Sequence, residues 1–274
     1  MSAGIYTARA GLSTLIIAKD NGALAKAEKI GNFYGFPEMI DAADLLRRGR
    51  QQAEQLGAGF LVDEVFGIGE KEDGFTVECA GGIFGATAVV FATGKQRNKP
   101  RIPGLDEFEG RGVSYCAVCD GAFYKNKRIA VLGGGSYALH EAAMLSVYSL
   151  QLIVLTNGGA LIADAPYSTD TRKIQKIYGE KRLTGICFED GEELPIDALF
   201  VASGTASTAD FAKRLGIDEE RGSIKVSRSG TTNVTGLFAA GDCTGGLLQI
   251  AKAVGEGAVA GESAVEYIKE LKPA

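Results

Sequence analysis

Two cysteines separated by two residues, Cys116 and Cys119, with Asp120 directly after them, carry the sharpest chemical signal in the chain. At that spacing two thiols can close a small disulfide ring, and one thiolate can be stabilised by the other or by nearby dipoles, which makes exchange fast. A Cys-x-x-Cys pair is also half of a common zinc site, but zinc needs two further ligands. The remaining candidates are the isolated Cys79, Cys187 and Cys243 and the single histidine, His140, so redox use is the stronger reading and no metal is expected. Asp120 could be an ordinary solvated turn residue. Beside a dithiol, its carboxyl can carry the proton that thiolate chemistry demands.

A second signal is the run Gly133, Gly134, Gly135, Ser136, Tyr137, Ala138, which fits G-x-G-x-x-A between a predicted strand over 129–132 and a predicted helix over 136–146. Glycines let backbone approach a pyrophosphate, and a helix start supplies amide donors and a positive dipole. The same turn can equally be a packing device. The next strand, 151–155, ends in Thr156 and Asn157 about 20 residues after the loop, where an acid would hold a ribose diol or an arginine a 2′-phosphate; neither is there. His140 reads as a surface residue on the helix flank. A third signal is Gly241 and Asp242, just past the predicted strand 237–239, where a carboxylate could accept hydrogen bonds from a cofactor's polyol. Taken alone, an Asp in a glycine-rich turn is the plainer reading.

These residues need elements to hold them. The pattern predicts a helix over 3–10 capped by Gly11 and a strand over 13–17, the second half of a βαβ unit. Asp41 is placed to cap a helix over 41–56. Short alternating segments from Phe60 to Phe91 predict a β-meander ending in the strand 88–92, followed by a connector over 98–104. Further strands are predicted at 185–188 and 198–202, and helices at 209–215 and 248–271. The expected fold is α/β: two Rossmann-like, three-layer nucleotide-binding domains, the second inserted into the first, with residues 1–106 and 234–274 forming one and residues 107–233 the other.

Composition narrows the function classes. The chain has 274 residues, 46% of them hydrophobic, enough for one large interior or two modest ones. A net charge of -5 argues against a nucleic-acid partner, which needs clustered Lys and Arg. No apolar stretch approaches the roughly 20 residues of a membrane span, and the first eleven residues lack a secretory core. An odd set of five cysteines with one close pair suits a reducing, cytoplasmic setting.

Taken together, several stretches resemble the low-molecular-weight thioredoxin reductases: GRGVSYCAVCDG from Gly110, VLGGGSYALHEA from Val131, VVFATG from Val89, GLFAAGDCTGG from Gly236 and NFYGFP from Asn32. The resemblance covers nearly the whole chain in the right order. It implies a two-domain flavoprotein, a homodimer, that reduces thioredoxin or a thioredoxin-like protein. It further implies FAD held by Asn32, Thr93, Gly94, Gly241 and Asp242, with the backbone of Gln249, Ile250 and Ala251 at the isoalloxazine. NAD(P)H would bind at Gly133, Gly135, Ser136, Tyr137 and Ala138. Cys119 would face the flavin, Cys116 would attack the substrate disulfide, and Asp120 would supply protons.

The sequence departs from that family in three places. The family opens with a strand and a G-x-G-x-x-G loop, which would lie ahead of Met1. Ala18 and Lys19 stand where the family carries an acid for the adenosine ribose. The basic motif expected around 156–158 is missing, and the segment up to Lys173 is short, a likeness to the ferredoxin-linked branch that does not use a nicotinamide. The donor is therefore read as NAD(P)H, with reduced ferredoxin as the alternative. A non-catalytic, partner-binding remnant is the alternative of another class.

Overall fold

In the computed structural model, residues 1–94, 100–203 and 208–271 are described; positions 98 and 99 of the expected connector lie outside them. The chain divides into two compact units, 1–96 with 207–274 and 97–206. In chain order the first unit begins with helix α1 (Ser2–Arg9), strands β1 (Leu15–Ala18), β2 (Lys29–Ile30) and β3 (Ile40–Asp41), and helix α2 (Ala42–Gln55). Asp41 caps α2 as expected, its Oδ1 accepting from the N–H groups of Ala43 and Asp44 at 2.9 and 3.2 Å. Strands β4 (Gly59–Val62), β5 (Val65–Lys71), β6 (Gly74–Cys79), β7 (Gly82–Ala86) and β8 (Val89–Phe91) follow.

Only the middle of that run is the expected meander: β5, β6 and β7 pair antiparallel in sequence order. Its ends pair elsewhere, β4 in parallel with β1 through Ile16 opposite Phe60, and β8 in parallel with a strand near the C-terminus. Alternation identifies a strand; its partner is set by tertiary packing, which a local pattern does not contain.

The second unit comprises β9 (Val113–Ser114), α3 (Ala117–Asp120), β10 (Lys127–Leu132), α4 (Ser136–Ser146), β11 (Ser149–Leu155), β12 (Ser168–Asp170), β13 (Ile174–Gly179), β14 (Leu183–Phe188), β15 (Glu193–Pro195) and β16 (Ala198–Val201). Five strands form a parallel sheet in the order β12-β11-β10-β16-β9. Because side chains alternate across a strand, Ala130 and Leu132 of β10 join the core that includes Ile174, Ile177, Leu183, Ile186 and Phe188 of the antiparallel sheet β13-β14-β15. Helix α4, with Tyr137, Ala138, Ala142 and Leu145 buried, packs on β10 and β11. This is the expected three-layer, Rossmann-like arrangement.

The chain then returns to the first unit with α5 (Thr208–Leu215), β17 (Glu219–Glu220), β18 (Ser223–Ile224), β19 (Leu237–Ala239) and α6 (Ile250–Leu271). The partner of β8 is β19. Here the structure moves the expected boundaries, since residues 207–233 group with the first unit and not with the insert. Phe211 of α5 packs its ring 5.8 Å from that of Phe91, and an Nη of Arg214 donates to the Phe66 carbonyl at 3.1 Å. Among the described residues no helix is long and apolar enough to cross a membrane.

Candidate functional site

The dithiol sits where the edge strand β9 runs into the one-turn helix α3. Cys116 and Cys119 are joined as a disulfide with Cα atoms 5.3 Å apart. Cys116 is the N-cap of α3, and its Sγ accepts the Cys119 N–H at 3.2 Å. That geometry directs one amide dipole at the Cys116 sulfur, so a thiolate there is stabilised. Cys116 is only 1% exposed, whereas Cys119 lies open to solvent.

Two polar side chains that the sequence reading passed over hold this turn. Ser114, buried at the end of β9, accepts the Cys116 N–H at 3.1 Å and donates from Oγ to Asp120 Oδ2 at 2.6 Å. Glu141, on α4, accepts the Ala117 N–H at 2.9 Å although it is 1% exposed. The sequence hides both, because a serine two residues before a cysteine and a glutamate inside a helix are ordinary residues until the fold brings them in. Burial, and then the charge of Asp120, raises the Tyr124 hydroxyl above its usual range. His140 is half-buried, not on an open flank.

The glycine loop 133–138 joins β10 to α4 as predicted, yet most of it is packing. Gly133 has φ +147°, and a side chain there would collide with the Ala202 carbonyl and press on Ala138. Tyr137 and Ala138 are buried, so their side chains are core and a ligand could meet only the backbone of 133–136 and the half-buried Ser136 hydroxyl. The loop is also covered by its own chain: Ile162 N–H donates to the Gly134 carbonyl at 2.8 Å, and a Cβ on Gly134 would run into the Ala160 carbonyl. Asn157, at the strand end where an acid or arginine would meet a ribose, accepts the Ile174 N–H on Oδ1 at 2.7 Å. Arg172 is tied to Asp170 and Asp190.

In the first unit β8 and β19 run parallel in register, Val89 opposite Leu237 and Phe91 opposite Ala239. Thr93 and Gly94 therefore leave the same sheet end as Gly241 and Asp242, the carboxyl end where α/β sheets bind ligands. Gly94 has φ +74° and open space where a side chain would be. The turn after β19 is knotted by Lys252 and Glu256 of α6. Glu256 Oε2 accepts from the Gly241 N–H, Thr244 Oγ1 and Lys252 Nζ at 2.8, 2.9 and 2.9 Å. Lys252 Nζ also donates to the Gly241 carbonyl at 2.9 Å. Asn32 Nδ2 donates to Gln249 Oε1 at 2.9 Å, joining positions 217 residues apart. Ile250 packs into the small core around Ile30 and Ile40, while Ala251 is exposed beside it.

With this geometry in place, the comparisons with known proteins agree on one family. The pyridine nucleotide-disulphide oxidoreductase pattern matches residues 1–257. A thioredoxin reductase of Listeria monocytogenes is 33% identical over 99% of this chain and 91% of its own. The atypical thioredoxin reductase of Desulfovibrio vulgaris Hildenborough superposes with a TM-score of 0.94 at 40% identity, covering 100% of this chain and 95% of that one. A ferredoxin-flavin thioredoxin reductase of Clostridium acetobutylicum gives 0.73 at 29% identity, over 98% and 94%. The chain belongs to the pyridine nucleotide-disulphide oxidoreductases.

Proposed function

We propose that the chain is a flavin-dependent reductase of thioredoxin or a thioredoxin-like protein, working through Cys116 and Cys119 as two copies in a reducing cytoplasm. The observation that carries this reading is the Cys116–Cys119 disulfide closed beside an Asp120 held by Ser114. Full-length likeness to thioredoxin reductases supports it.

FAD fits the first unit. Two glycine turns leave one sheet end, Gly94 is open, and Asp242 is half-buried on the same edge. Asp242 would hold the cofactor's polyol, with Thr93, Gly94 and Gly241 lining the same sheet end, and Asn32 with Gln249, Ile250 and Ala251 would border its ring system. When bound, FAD supplies the electron pair that opens the disulfide.

The rest is done by the chain's own groups. Two electrons and two protons convert the disulfide to two thiols. The Cys116 thiol gives its proton to Asp120, and the thiolate, stabilised by the Cys119 amide, attacks one sulfur of the substrate disulfide and expels the other as a thiolate, which takes that proton from the Asp120 carboxyl. The Cys119 thiol then attacks the Cys116 sulfur, its proton passes to the second substrate thiolate as that leaves, and the closed pair is restored.

Of the two donors, reduced ferredoxin is favoured by a specific observation. NAD(P)H does not fit the loop 133–138 as it stands, because the Ala160 carbonyl and the Ile162 amide already rest on Gly134. A pyrophosphate there would also meet a carbonyl oxygen where it needs donors. Anaerobic spectra of FAD-loaded protein test both steps. Reduced ferredoxin should bleach the flavin while NADH and NADPH leave it oxidised; bleaching by either nucleotide reverses the donor assignment. Cys116→Ser and Cys119→Ser should each abolish thioredoxin reduction, and turnover surviving in either variant removes the dithiol reading.

A further inference from the structure

Among the described residues of the second unit, Glu141 is the one acidic side chain that is buried. A carboxylate taken from water costs several kcal/mol unless its oxygens are met by donors, so its position calls for a physical account. The backbone donors around the dithiol are divided among specific acceptors. Cys116 N–H goes to Ser114 Oγ, Cys119 N–H to Cys116 Sγ, and Asp120 N–H to the Cys116 carbonyl. The Ala117 N–H, one peptide bond from Cys116, goes to Glu141 at 2.9 Å. The amide that directly follows Cys116 is thus held by the Glu141 carboxyl.

We infer that Glu141 is a positioning residue that sets the redox poise of the dithiol: its carboxylate opposes negative charge on the Cys116 sulfur and so keeps the Cys116/Cys119 pair strongly reducing. The inference rests on the dithiol relay proposed above. A like charge beside a sulfur disfavours the thiolate, and a dithiol whose reduced form is less stabilised is a better reductant, the reverse of a strongly oxidising pair whose reduced form is stabilised.

Glu141→Gln separates charge from architecture, since the amide oxygen still accepts the Ala117 N–H. The full chain is equilibrated in buffers of reduced and oxidised glutathione, where two glutathione thiols lose their protons and electrons to form glutathione disulfide as the Cys116–Cys119 bond becomes two thiols. The fractions are counted by mass after thiol alkylation. The variant should favour the dithiol roughly three- to tenfold more than wild type, tenfold being about 30 mV for this couple. Superimposable titrations of a folded variant overturn the inference, because a merely structural acceptor is retained. A second measurement needs no variant: in wild-type protein labelled with 13C at glutamate carboxyls, reducing the disulfide should produce a glutamate carboxylate band in the infrared difference spectrum, and its absence overturns the inference as well. Failure of wild type to titrate reversibly would instead remove the relay itself.

Discussion

Burial pushes the thiols of Cys79 and Cys243 up to about 11, since a thiolate inside a unit loses its hydration, and at Cys79 the charge of Asp63 adds to that penalty. Cys187 is buried too, whereas Cys119 faces solvent. After reduction, iodoacetamide at pH 8 should therefore label Cys119 first, then Cys116 as the turn opens, and leave the other three untouched until denaturant is added. Comparable labelling of Cys243 in folded protein would contradict this. Proton transfer divides in the same way. Asp120→Asn removes the acid and should cost thioredoxin reduction about a hundredfold, the low end for general acid catalysis. Ser114→Ala leaves the acid but frees it, at a cost of about tenfold, the scale of one lost hydrogen bond to a charged group. Equal kcat values for Ser114→Ala and wild type would show that Asp120 needs no such tether. Cys116, Cys119 and Asp120 were legible in the sequence because a close pair with an adjacent acid is a local pattern. Ser114 and Glu141 were not, because their meaning comes from a strand end and a helix that meet the cysteines only in the folded unit.

At the scale of elements, the loops that matter are clamped by the helices behind them. Burial alone would raise Glu256, but hydrogen bonds from Lys252, the Gly241 N–H and Thr244 hold its carboxyl below the usual range. The Gly241–Thr244 turn thus depends on the first two turns of α6. Glu256→Gln keeps the size of the side chain and weakens three charge-assisted bonds, each on the order of 1.5–3 kcal/mol when made to a charged group. FAD should then bind about tenfold more weakly by fluorescence titration, with α6 still formed by circular dichroism. Unchanged affinity would mean that the turn holds its shape without the knot. Sequence periodicity found α2, α4, β10 and β11, whose apolar spacing and caps are local. It missed α3, too short to show a period, the three-residue strands β12 and β15, and β13. It also mistook the partners of β4 and β8, which are fixed only when residues some 40 and 150 positions away are brought alongside.

The two units of the whole molecule share one architecture class but not one electrostatic balance. In the second unit Asp170 and Asp197 are held below the usual carboxylate range, first by hydrogen bonds from Arg172 and Arg128 respectively, and Asp190 first by the Glu192 amide and then by Arg172. In the first unit the lowered carboxyls are Asp44, beside Arg47 and Arg48, and Glu256. The insert was legible in outline, from two glycine turns far apart in the chain. Its far boundary was not, because nothing local in α5 says that Phe211 will pack on Phe91 and not on the parallel sheet. That division has a consequence for acid stability. A carboxyl lowered in the folded state contributes stability that is present above its unfolded pKa, about 4, and is lost as pH falls through the lower folded value. Arg172 also stacks 4.1 Å from the Phe188 ring, which ties the Asp170–Asp190 cluster to the core of the insert. Arg172→Met keeps an apolar stem over that ring while removing the cation, so both aspartates should return toward their ordinary values. Urea midpoints followed by circular dichroism should place the variant below wild type at pH 7. The gap should narrow as pH falls from about 4 through the lowered folded values of Asp170 and Asp190. A gap that persists unchanged at pH 2 would assign the loss to packing on Phe188 and not to charge.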